Sequence, residues 1–99
     1  MKLYIDYHTG AGNELVEGAL DDAKRIADDH PAYTQQNIMI EDENGAAVAE
    51  RRWYGVAYDG PADAGIIDFG DWGYYDGWHD YDEIEKAMWA RGRANDDVF

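Results

Sequence analysis

Few residues of this chain stand at spacings that support chemistry. His79 and Glu83 are four positions apart near the expected start of a helix, a spacing that sets two potential metal ligands on one face. A metal centre needs further ligands, and His8 and His30 lie in separate segments, so the pair reads as a surface histidine near a helix start. A calcium loop framed on Gly45 has Asp42 and Asn44 at ligand positions, but Ile40 and Arg51 at the first and twelfth. The frame ending at Gly77 fails at Trp72 and Tyr74, which leaves open only an irregular site around Asp68, Asp71 and Asp76. Thr9-Gly10-Ala11-Gly12 lacks the Gly-Lys-Ser/Thr or third glycine of a phosphate loop and reads as a turn. The chain has no cysteine and no serine, and Thr9 and Thr34 have no activating context. With 22 acidic residues some carboxylate pair is inevitable, so a pair alone does not argue for glycosidase chemistry. No catalytic residue, metal ligand or cofactor site is assigned.

What stands out instead is charge. Against 22 acids the chain carries 8 lysines and arginines, a formal charge of −14, so phosphate and anionic lipid are repelled and direct binding to nucleic acid or membrane is not expected. No apolar run approaches a membrane span and the first residues are too polar for a signal peptide, so a cytoplasmic protein is expected. The 45% hydrophobic content is enough for a folded core. Residues 59–99 hold 11 of the 22 acids, more than their share. In the same region Phe69, Trp72, Tyr74, Tyr75, Trp78 and Tyr81 alternate with Asp68, Asp71, Asp76, Asp80 and Asp82.

The elements that must position these residues can be read from periodicity. Lys2 to Tyr7 alternates like a half-buried strand, and Glu14 to Glu17 fits a short return strand. A helix fits residues 19–29, with Leu20, Ala23, Ile26 and Ala27 as its apolar stripe and His30-Pro31 as its stop. Asn44-Gly45 suits a two-residue hairpin loop within residues 37–54, pairing Ile40 with Ala49 and Ile38 with Arg51. That register puts Ile38, Ile40, Ala47, Ala49 and Trp53 on the core face, with Arg51 as the discordant member. Ile66 to Phe69 reads as one more strand and Gly70 to Gly77 as an aromatic loop. A last helix is expected over 81–91, capped by Asp80 with Glu83 three residues on, followed by a frayed tail at 95–99. The expected architecture is one α+β domain over residues 1–99, a small antiparallel sheet packed with two helices.

The string Ile38-x-Ile40-Glu41-Asp42-x-Asn44-Gly45-x-x-Val48-Ala49-x-Arg51-x-Trp53-Tyr54-Gly55, after Ala23-x-x-Ile26-Ala27-Asp28, resembles small acidic proteins of phages and conjugative elements. The resemblance spans residues 1–58 and transfers no catalytic residue. It implies an accessory gene context, in which acidic proteins block host nucleic-acid enzymes by imitating DNA.

An enzyme would need a polar pocket with perturbed carboxylates, which the sequence neither shows nor forbids; beside it stand three non-catalytic readings. In the first, the acids lie on an ordinary solvated face and the aromatics bury themselves over a small core. In the second, the protein is a non-enzymatic module that docks on a basic protein surface, with DNA mimicry of a nucleic-acid enzyme's partner as its sharper form. There Asp68, Asp71, Asp76, Asp80, Asp82, Glu83 and Glu85 supply charge, and Trp72, Tyr74, Tyr75 and Trp78 supply contact area. In the third, the aromatic segment 69–81 stacks on a small ligand or sugar ring. Shape separates the last two: a convex acidic ridge favours docking, and a concave aromatic cleft favours a ligand.

Overall fold

The computed structural model describes residues 1–9, 13–29 and 35–85. Strand β1 (Lys2–Asp6) pairs antiparallel with β2 (Glu14–Glu17) on one side and β3 (Ile38–Glu41) on the other. Strand β4 (Ala47–Arg51) follows β3, and β8 (His79–Asp80) adds to the far edge, giving the order β2-β1-β3-β4-β8. Alternation does what the sequence demands: Leu3, Ile5, Val16, Ile38, Ile40 and Ala49 are buried on one face. Each large aliphatic among them contributes about 1.5–3 kcal/mol by leaving water.

Helix α1 (Leu20–Asp29) packs on β1 and β3. Its start is fixed by Asp22, whose carboxylate accepts the Ala19 backbone N–H at 3.0 Å, the acid's half of a capping box. That bond, with the Arg25 guanidinium at 2.7 Å, holds the Asp22 carboxyl below the usual carboxylate range. The apolar stripe is narrower than expected. Ala23 and Ala27 are buried and Leu20 is half-buried, but Ile26 is exposed. The helix is rotated so that Asp28, next to Ala27, turns toward Arg51 instead.

The β3–β4 hairpin keeps the expected Ile40–Ala49 and Ile38–Arg51 pairs. Its loop is longer than two residues, however. Gly45 N–H donates to Asp42 O, Asp42 N–H donates to Ala46 O, and the register shifts after Ile40 so that Glu41 faces Ala47. Only Gly45 has positive φ (79°), so this is a turn closed by a left-handed glycine and a bulge. Asp42 selects it by accepting N–H bonds from both Asn44 and Ala46.

The expected strand through Tyr54 breaks at Arg52, and β5 (Trp53–Tyr54) enters a second sheet of order β5-β7-β6. Here β6 (Ile67–Asp68) and β7 (Tyr74–Tyr75) flank a short 3-10 turn, Gly70–Trp72. The segment expected as an aromatic loop therefore supplies a central strand, because β5 and β6 both need a partner for their backbone groups. The last helix also begins later than expected. Asp80 lies in β8, and the helical turn opens at 83–85 with Asp82 accepting from Glu85 N–H at 2.8 Å and Asp82 N–H directed back at Glu85. The remainder of the expected 81–91 helix, the His30-Pro31 stop and the 95–99 tail lie outside the described residues. One buried cluster spans both sheets, since Tyr75 of the small sheet packs with the aliphatics of the large one.

Candidate protein-binding site

Two glycines bracket the 3-10 turn and decide where Trp72 goes. At Gly73 φ is +135°, and a Cβ there would collide with the Tyr54 carbonyl and the Trp53 ring, so only glycine lets β7 lie this close to β5. The turn is held by Phe69 N–H donating to Gly73 O at 2.9 Å and Gly70 N–H donating to Asp68 Oδ1 at 2.8 Å. The result throws Trp72 outward, 75% exposed. It stands at a recess of about 290 Å³ whose described lining residues are Gln35, Trp53, Phe69 and Trp72. The Trp53 ring is fixed by Tyr75, edge-on at 4.8 Å, and by Phe69, tilted 54° at 5.9 Å.

The sequence-derived binding residues divide into groups with different roles. Asp68 and Asp71 are exposed beside the recess residues Phe69 and Trp72 in the chain, and Asp76 is exposed after β7. Among the described residues none of the three has a lysine, arginine or histidine within ion-pair distance. Asp80 is different: Lys24 Nζ reaches it at 2.6 Å, so its charge is already compensated. Asp82 is the helix cap, and Glu83 is exposed in the first helical turn. Glu85 binds His79 at 2.6 Å. Tyr74 is half-buried, stacked on Tyr54 at 5.2 Å and edge-on to Tyr58 at 4.9 Å.

Two aromatics are corrected. Tyr75 is fully buried and offers no contact area; successive residues of β7 point to opposite faces, and Tyr75 takes the inner one while Tyr74 takes the outer. Trp78 is half-buried and braces the interior, its Nε1–H donating to Asp28 Oδ1 at 2.9 Å with the Arg51 guanidinium 5.8 Å from the ring centre. The recess residues Trp53 and Gln35 were not singled out as binding residues by sequence. Trp53 looked like core because of its hairpin register, and nothing near Gln35 signals a site.

A second, polar cleft of about 210 Å³ has Glu50, Arg52, Tyr54, Asp76, Gly77 and His79 among its lining. Glu50 is only 4% exposed, and Arg52 Nε pairs with it at 2.7 Å. The hydrogen bond to Glu85 raises the His79 pKa above the ordinary imidazole value. Glu50 is paired with Arg52 and His79 with Glu85, so of the charges named here only Asp76 lacks an ion-pair partner among the described residues. Among the described residues no group of three or more His, Asp and Glu is arranged to hold a metal, and no helix is long and apolar enough to cross a membrane.

Comparison with protein-family models, curated proteins and solved structures finds no match. The geometry around Trp72 is what bears on function.

Proposed function

We propose that the protein is a non-enzymatic acidic module that docks on a basic surface of another protein, with the Trp72 edge as its anchor. The observation that carries this reading is an exposed tryptophan set beside two aspartates, Asp68 and Asp71, that lack a cationic neighbour among the described residues. Trp72 costs solvation while it stays exposed, and burying it against a partner recovers that energy, as anchor residues at interfaces do. The net charge of −14 draws a basic partner and repels nucleic acid, so a surface that ordinarily holds phosphate is the partner class proposed.

The concave recess favours a second reading, a small ligand stacked on Trp53 and Trp72. A sugar needs several directed hydrogen bonds as well as stacking, and Gln35 is the one polar side chain in the described lining. The docking reading therefore accounts for more of the site.

The test is affinity capture from the native host's lysate at low and high salt, using the wild type, Asp68→Asn/Asp71→Asn and Trp72→Ala, followed by competition with duplex DNA. A specific partner should be captured by the wild type, lost by both variants at moderate salt and displaced by DNA. Capture that ignores both substitutions contradicts the reading.

A further inference from the structure

We propose that the Trp53–Phe69–Trp72 recess is an aromatic cage for a cation, occupied in the complex by a lysine or arginine side chain of the partner; the inference rests on the docking reading above. Aromatic faces carry negative potential and attract an ammonium or guanidinium placed over them. The Trp53 and Phe69 planes meet at 54° with centroids 5.9 Å apart, so the two rings form angled walls rather than a closed stack. Trp72 lines the same recess and keeps 75% of its surface free, leaving its ring available to an incoming group.

Size and charge both fit this occupant. A volume of about 290 Å³ is at the bottom of the range for small-molecule pockets, which suits one side chain better than an oligosaccharide. Asp68 is held at the turn by its bond from Gly70 N–H, and Asp71 follows within the turn, so formal negative charge stands in the same short segment as the Phe69 and Trp72 rings. An aliphatic side chain would gain from the rings but nothing from that charge. Gln35, which also lines the recess, is a residue type able to accept from the cation's N–H groups.

The experiment uses the full chain with two probes, choline and its neutral isostere 3,3-dimethylbutan-1-ol, followed by tryptophan fluorescence and the NMR shift of the Trp72 indole N–H. Choline should bind about tenfold more tightly than the isostere. Trp72→Ala should abolish binding with an unchanged circular dichroism spectrum, and Asp68→Asn/Asp71→Asn should weaken choline alone. Equal binding of both probes, or of neither, overturns the cage while salt-dependent partner capture still stands. Choline binding in a protein that captures no partner at low salt overturns the side-chain occupant and the docking reading beneath it.

Discussion

Arg51 Nη1 donates to Asp28 Oδ1 at 2.5 Å, joining the helix to the sheet strand from which the aromatic edge departs. Arg51 is only 4% exposed, and its other nitrogens donate to Asp76 O at 2.9 Å and Gly65 O at 2.5 Å. Asp28 Oδ1 also receives Trp78 Nε1–H. One guanidinium thereby ties α1, the segment before β6 and the segment after β7 to the strand immediately preceding β5. The pair is buried on its Arg51 side only, the Asp28 carboxylate keeping 37% of its surface; such a pair adds little stability over an apolar replacement, but removing the carboxylate leaves a buried guanidinium short of its counter-charge.

Arg51→Ala should lower unfolding free energy by about 2–4 kcal/mol, since three hydrogen bonds and packed stem volume are lost together. Asp28→Ala should cost about 2–3 kcal/mol by leaving the guanidinium with only carbonyl partners, whereas Asp28→Asn keeps an oxygen acceptor and should cost about half as much. Urea midpoints at constant slope would read these differences. Equal losses in the two Asp28 variants would mean that a neutral oxygen acceptor contributes nothing here and the charge carries the whole effect.

Gly73→Ala should destabilise by about 2 kcal/mol or more, because alanine is strained at positive φ and its methyl group meets the Trp53 ring and the Tyr54 carbonyl. The near-ultraviolet circular dichroism of Trp53 should change with it. A variant as stable as the wild type with an unaltered aromatic spectrum would contradict the close approach of β5 and β7.

These sites show what the sequence could and could not reveal. Period-two alternation was enough to find β1, β2, β3 and the Ile40–Ala49 register, because one face of each strand is buried. It could not foresee the Asp42–Gly45 turn and bulge, where side-chain bonds from Asp42 compete with the two-residue alternative. Nor could it find β7 and β8, which are two residues each and take their conformation from neighbours distant in sequence. Arg51 was visible as a mismatch on an apolar face, but its partner 23 positions away was not. For the site, composition singled out the acidic aromatic segment; only tertiary structure separates exposed Trp72 from the bracing Trp78 and the buried Tyr75.

His79 should make stability depend on pH near neutrality. Its folded pKa lies above the ordinary 6.5, chiefly through the bond to Glu85, with Glu50 adding attraction and Arg52 opposing it. The contribution is therefore complete below about 6.5 and is lost as pH rises through the folded value. Melting temperature should fall over that interval in the wild type and less in His79→Gln. Identical pH profiles for the two proteins would show that the His79–Glu85 contact contributes nothing.

The central claim, docking of an acidic aromatic edge on a basic surface, is tested most directly by the association rate with the captured partner across ionic strength. The variant to compare is Asp68→Asn/Asp71→Asn/Asp76→Asn; Asp80 is left intact because removing its charge would strand Lys24. The wild-type rate should fall steeply with salt, and the variant should associate about tenfold more slowly at low salt with a flatter dependence. Trp72→Ala should instead leave association nearly unchanged and speed dissociation. An unchanged rate and salt slope in the triple variant would contradict the account and make the acidic face ordinary solvated surface.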